Sequence, residues 1–116
     1  TEVPSFFCNN DRIAMELIDS SKKTGDPLWQ LPLWENYSSQ LKSVHADFKN
    51  IGNSMFGGAI TAALFLEKFV EKNIPWIHID LMAWTRANKF HSYEGGEAMG
   101  IRALLDFIKK FKDMQN

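Results

Sequence analysis

Two short pairs carry the residue types of chemistry, His45-Ala46-Asp47 and His78-Ile79-Asp80. On a β-strand, residues i and i+2 point to the same face, so each pair would set an imidazole beside a carboxylate. If two such strands were neighbours, four donors would converge, a set suited to Zn²⁺ or a similar ion. A plainer reading also stands: the carboxylates hold loop N–H groups and the histidines are hydrogen-bonded core residues. Spacing alone is weak evidence for a metal site, so the plainer reading is preferred. The glycines from Gly52 to Gly58 precede an apolar helix, whose free N–H groups would favour an anion. Their spacing is neither G-x-x-x-x-G-K-[ST] nor G-x-G-x-x-G, and no lysine is in place. A tight turn with close packing accounts for them better. Cys8 with His45 or His78 would make a nucleophile and base. Nothing in the sequence beside Cys8 activates it, and a lone cysteine is more often a small packed residue.

These residues need elements to hold them. Asn9 or Asn10 is a suitable N-cap, Ile13, Leu17 and Ile18 share one helical face, and Gly25 with Pro27 stops the chain. A first helix over Asp11 to Lys22 is predicted. Asp26 to Trp34 reads as extended, because Pro27 and Pro32 hold it out of a helix. Helical spacing returns from Trp34 to Leu41. A short strand is expected at Ser43 to Phe48, then a glycine-bearing loop from Asn50 to Gly58. Ala59 to Val70 is predicted as a helix whose first turns are apolar nearly all round and therefore buried. Pro75 to Trp84 reads as a central strand buried on both faces. Thr85 to Gly96 reads as a loop. Glu97 to Lys112 is the last helix, with Ile101, Leu104, Leu105, Ile108 and Phe111 as its apolar stripe. Arg102, Lys109, Lys110 and Lys112 form its wet side. The tryptophans and phenylalanines are expected in the core or at subunit contacts, with Trp84 also a pocket candidate.

The alternation of helices with strands gives an α/β fold class. Two strands make a small sheet, and a helix buried all round needs layers on both sides. The 116 residues therefore read as part of a larger α/β domain or as a chain that associates with copies of itself. A formal net charge of -1, from 13 basic and 14 acidic side chains, argues against a nucleic-acid or anionic-membrane partner. The single cysteine makes no intrachain disulfide, which favours a cytoplasmic location. No apolar run reaches the ~18 residues of a membrane span, and no signal peptide is read at the start.

Four blocks carry a family likeness. Trp29 with Leu31-Pro32-Leu33-Trp34 matches a W-x-L-P-L segment. Ala46-Asp47 followed by Asn50-Ile51-Gly52 matches A-D-x-x-N. Gly57-Gly58-Ala59-Ile60-Thr61-Ala62-Ala63-Leu64-Phe65-Leu66 resembles G-G-A-I-T-A-A-x-F-L, and Trp76-x-His78-x-Asp80 matches W-x-H-x-D. In this order and at these spacings, the chain resembles the C-terminal part of the catalytic domain of the two-metal leucyl aminopeptidases, peptidase family M17. The likeness runs from about Pro4 to Phe111.

The resemblance implies the C-terminal portion of an α/β/α zinc-peptidase-like (phosphorylase/hydrolase-like) domain, with helices on a small mixed sheet. It implies a parent protein that removes N-terminal residues from peptides with two divalent ions, zinc or manganese, in a cytoplasmic hexamer built from trimers. In the family the ions and the bicarbonate-positioning arginine belong to an N-T-D-A-E-G-R region and residues before it. No such segment occurs here, so no catalytic residue or metal ligand is carried over. No metal is expected on this chain, which is expected to be inactive alone. What the resemblance places here is part of the apolar substrate pocket: Ile51, Met82 and Thr85, with Trp84 beside them. Most members continue the strand with Asp-Ile-Ala-Gly, where this chain has Asp80-Leu81-Met82-Ala83-Trp84. Met82 and Trp84 are bulkier than the usual residues and would change the pocket's size. The expected partners are the peptide substrate, the remainder of the catalytic domain and further copies of the parent. The isolated chain is expected to self-associate. A non-catalytic lobe for assembly or peptide binding is the alternative reading.

Overall fold

A computed structural model describes residues 2–88, 90 and 93–113. The chain opens with β1 (Ser5–Cys8), a four-residue strand that the sequence reading did not anticipate. Helix α1 follows over Asp11–Thr24. Asn10 accepts from the Ile13 N–H at 3.1 Å as its N-cap. At the other end Gly25 adopts φ +62°, and the N–H groups of Gly25 and Asp26 return to the Lys22 and Ser21 carbonyls. The predicted stop is thus a Schellman turn, two residues past the predicted end.

The extended stretch contains β2 (Trp29–Gln30). The next turn, Glu35–Leu41, is a 3-10 helix rather than an α-helix. No strand forms at Ser43 to Phe48. The Ser43 hydroxyl accepts from the N–H groups of His45 and Ala46, and the Lys49 N–H returns to the Leu41 carbonyl at 2.8 Å. Those bonds close the segment into a loop, because a serine side chain offers its neighbours a local alternative to a ladder.

Helix α2 spans Gly58–Glu67 and ends earlier than predicted. It buries Thr61, Ala63 and Leu64, while Ala62 and Leu66 face outward. Its apolar circumference is therefore only partly covered. Gly57 precedes it at φ +70°, and a Cβ there would lie 2.8 Å from Cε2 of Tyr37. Gly57→Ala meets both a left-handed backbone and a ring, so a loss of about 2 kcal/mol is expected. Urea denaturation should show the midpoint fall with an unchanged slope, and Gly58→Ala, which meets nothing within 4 Å, serves as its control.

β3 (Ile77–Asp80) pairs antiparallel with β1, Ser5 opposite Asp80 and Cys8 opposite Ile77. β2 lies parallel on the other side, giving the order β2-β1-β3. The expected central strand, buried on both faces, is instead an edge strand among the described residues, and all four of its residues are half-buried. The chain turns at Ala83, and β4 (Trp84–Thr85) pairs with β5 (Gly95–Gly96) in a separate ribbon.

Helix α3 (Ile101–Asp113) begins later than predicted because Gly100, at φ +77°, breaks the approach. Its first turn is capped from a distance. Asp26 is buried and accepts from the N–H groups of Gly100 at 3.0 Å, Arg102 at 2.9 Å and Ala103 at 3.2 Å. One turn further on, the Lys23 ammonium bonds Asp106 at 2.6 Å. Together with the Ser20 hydroxyl it holds the Asp106 carboxyl down at about 2.

The main core lies between the sheet and the α1–α3 pair: Phe6, Ala14, Leu17, Ala103 and Phe107, with Ile77 and Ile79 against it. Phe7, next along the strand, points to the opposite face, the side where α2 touches β1 and packs on the 3-10 helix. The layers are helix, sheet, helix. Of the expected α3 stripe only Leu104 packs against the core, while Ile101, Leu105, Ile108 and Phe111 are exposed; the buried residues of the helix are Ala103 and Phe107, which the stripe did not include. Trp29, Trp34 and Trp84 are likewise half or more exposed rather than core.

Candidate substrate-pocket cleft

Three of the pocket candidates, Met82, Trp84 and Thr85, follow β3 directly, and the turn there decides where they go. Ala83 has φ +52°, the one non-glycine left-handed residue among those described. A Cβ in this conformation costs roughly 1–2 kcal/mol, partly offset because alanine restricts the unfolded chain. The Glu97 N–H donates to the Ala83 carbonyl at 2.9 Å and pins the turn. Ala83→Gly is expected to stabilise the chain by about 0.5 kcal/mol, read as a rise of a few degrees in melting temperature.

Beyond this turn Met82, Trp84 and Thr85 line one cleft of about 120 Å³, with Arg86 and Met99 in the same wall. Met82 and Trp84 are partly exposed, while Thr85 is buried and its hydroxyl donates to the Ala87 carbonyl at 3.1 Å. The threonine hydroxyl is therefore already engaged, and the cleft offers thioether and indole surface with the Arg86 guanidinium and the Glu2 carboxylate on its wall. Drug-sized ligand pockets run to about 300–1,000 Å³, so this cleft suits one apolar side chain rather than a peptide. Ile51 is not among its lining residues. It sits in the loop before α2 with 83% of its surface exposed. Met99 and Arg86 were not singled out from sequence: Met99 reaches the cleft from the turn before α3, and no local pattern marked it.

The two His-x-Asp pairs do not converge. His45 and Asp47 lie in the closed loop, whereas His78 lies on β3 opposite Phe7. The His78 ring is parallel to Trp76 within 7° at 5.9 Å and stacks on Phe7 at 6.0 Å. It is an aromatic packing residue of the sheet. Among the described residues no group of three or more His, Cys, Asp or Glu is placed to hold a metal ion. Cys8 packs against the α1–α3 core, on the face of the sheet opposite His78. Burial pushes its thiol above the usual range, and Asp11 adds to this against the Asn10 backbone hydrogen bond. A nucleophile–base pair is not formed. A larger groove of about 430 Å³ lies between the 3-10 helix, Asp47 and Lys68, where Lys68 approaches Glu35 at 3.9 Å. Its lining mixes both charges and holds no activated nucleophile. No helix among the described residues is long and apolar enough to cross a membrane.

A layered α/β piece with this cleft has close counterparts. The fold superimposes on the crystal structure of the cytosol aminopeptidase from Coxiella burnetii with a TM-score of 0.90 and 46% identity, covering 94% of this chain and 24% of that one. It also matches the bottromycin maturation enzyme BotP in complex with Mn, at TM-score 0.86 and 29% identity, over 96% of this chain and 25% of that one. In sequence it is 44% identical over 110 residues to a probable cytosol aminopeptidase of Prochlorococcus marinus, covering 93% of this chain. The catalytic domain of the cytosol aminopeptidase family matches residues 1–105, and the chain belongs to that family. It spans 22% of the length of the Prochlorococcus relative.

Proposed function

We propose that these 116 residues are the C-terminal share of the catalytic domain of a metal-dependent leucyl aminopeptidase, which removes N-terminal residues from peptides. The observation that carries this reading is the family match over residues 1–105 together with the TM-score of 0.90 to the Coxiella enzyme. The chain supplies scaffold and part of the substrate pocket, through Met82, Trp84 and Thr85 in the cleft and Ile51 from the loop before α2. Two divalent ions, zinc or manganese, serve the parent enzyme. The Mn complex of BotP supports a metal-dependent relative. On the family resemblance, residues of the domain that this chain does not include hold the ions. The parent works in the cytoplasm, in keeping with the names of its relatives, and assembles as a hexamer. The isolated chain, with apolar surface left bare, self-associates.

The test is hydrolysis of leucine p-nitroanilide by the 116-residue chain and by its full-length parent, each with and without Mn²⁺ or Zn²⁺. The parent is expected to turn over only with metal, and the chain to stay at the buffer rate. Metal-dependent turnover by the chain alone would place the chemistry within these residues and sink the assignment.

A further inference from the structure

The molecule is flat, 48 × 43 × 18 Å, and its accessible surface is 8523 Å², against about 6,450 Å² for a compact monomer of this mass. Much of the bare surface is apolar and suits the remainder of the domain. The groove of about 430 Å³ beside the 3-10 helix differs in kind. Phe48 is the one apolar side chain among the residues lining it, and the others are charged or polar. Its volume falls within the ~300–1,000 Å³ of small-molecule sites.

Opposite charges in one groove can neutralise each other by pairing. Here they mostly stay apart. Lys42, from the end of the 3-10 helix, and Asp47, from the loop that follows, both line the groove. Among the described residues neither the Lys42 ammonium nor the Asp47 carboxylate has an ion-pair or hydrogen-bond partner. Lys68, just past α2, comes only to 3.9 Å from the exposed Glu35 carboxylate. Such a pair is weak and leaves the Lys68 ammonium available. Ser38 lines the same groove, and its hydroxyl oxygen is shielded from water without a hydrogen-bond partner among the described residues. Shielded polar atoms normally have one, and a ligand would supply it. The lining carries two lysines and two carboxylates, so its charge balance favours neither a simple anion nor a simple cation. A ligand that answers both signs at once is a zwitterion.

We propose that this groove binds a free α-amino acid with an apolar side chain. Its carboxylate is held by Lys42 and Lys68, its ammonium by Asp47, and its side chain lies against Phe48. The chemical class of the ligand stands on the groove alone. Its source, the residue that the parent releases from a peptide, rests on the aminopeptidase reading.

The test is an amide chemical-shift titration of the 116-residue chain with L-leucine. Saturable shifts are expected at Ser38, Ser39, Lys42 and Asp47, with a Kd of about 1 mM, as a few charge-assisted contacts on an open surface would give. Lys42→Gln and Asp47→Asn should each weaken binding about tenfold, the loss of one such contact. Both should leave the melting of the chain unchanged, since neither side chain makes a bond in the free chain. Leucinol lacks the carboxylate and 4-methylpentanoate lacks the ammonium, so each should bind at least about tenfold more weakly than leucine. Four outcomes overturn the proposal: no saturation by about 50 mM; shifts confined to the Met82–Thr85 cleft; leucinol or 4-methylpentanoate binding as well as leucine; or binding indifferent to both variants. Leucine p-nitroanilide turnover by the parent is read separately. Binding without turnover would keep the groove and remove the aminopeptidase reading, and turnover without binding would do the reverse.

Discussion

Asp26→Ala lowers the unfolding free energy by about 3 kcal/mol, the sum expected for losing a long-range helix cap and stranding its donors. The carboxylate is 3% exposed and is shared among three N–H groups at the start of α3. Alanine leaves these donors without their acceptor and gives up the favourable charge at a helix N-terminus. The Arg102 guanidinium at 3.6 Å adds little, because it is 61% exposed and such pairs are weak. The Asp26 N–H closes the Schellman turn of α1, so one residue fixes the end of one helix to the start of another. Loss of the cap should therefore fray α3 first. Amide exchange at Arg102 and Ala103 should accelerate more than exchange in α1, and the melting temperature should fall by about 10–20 °C. Asp26→Asn keeps an acceptor and should lose about half as much. Equal losses for the two variants would show that the charge, not the hydrogen bonds, carries the effect.

Phe6→Ala should cost about 4 kcal/mol, within the usual range for a buried phenylalanine. Phe6 is fully buried on the central strand β1, between the sheet and the α1–α3 pair. Its removal opens a void where Leu17, Ala103 and Phe107 meet. Small domains have about 5–15 kcal/mol in hand, and a flat molecule with much bare surface lies near the lower figure. The variant should hence be substantially unfolded at 37 °C by circular dichroism. Phe6→Leu keeps most of the volume and should remain folded, with a loss of about 1–1.5 kcal/mol. A folded Phe6→Ala chain would mean that the core lies elsewhere.

Helix α1 was legible because Asn10, the Ile13–Leu17 face and Gly25 are local signals acting on their own neighbours. The loop at Ser43 to Phe48 was not, since one hydroxyl redirects two N–H groups that the apolar spacing assigned to a strand. β1 was missed for a different reason. Ser5-Phe6-Phe7-Cys8 is too short to show alternation, although Phe6 and Phe7 bury opposite faces of the sheet. The reading of β3 as buried on both sides, and of Ile101, Leu105 and Ile108 as interior, registered an apolar pattern that the described residues satisfy only in part. Of the pocket candidates, Met82, Trp84 and Thr85 are near neighbours in the chain, so one turn suffices to gather them. Ile51 depends on where a long loop comes to rest, which no local signal specifies. The backbone at Ala83 was equally hidden: an alanine gives no hint that its turn is left-handed.

The thinness of the molecule, 18 Å along its shortest axis, bears on how it melts. Denaturant slopes and unfolding heat capacities scale with the area newly wetted when the chain opens. A fold that already leaves roughly 2,000 Å² more in water than a compact monomer of its mass has less to expose. Its transition should accordingly be broad, with a heat-capacity step below the ~1.4–1.7 kcal/mol/K typical of a domain this long. Sharpening of that transition would then report, without any enzyme assay, that the sheet and its helices had found their neighbours.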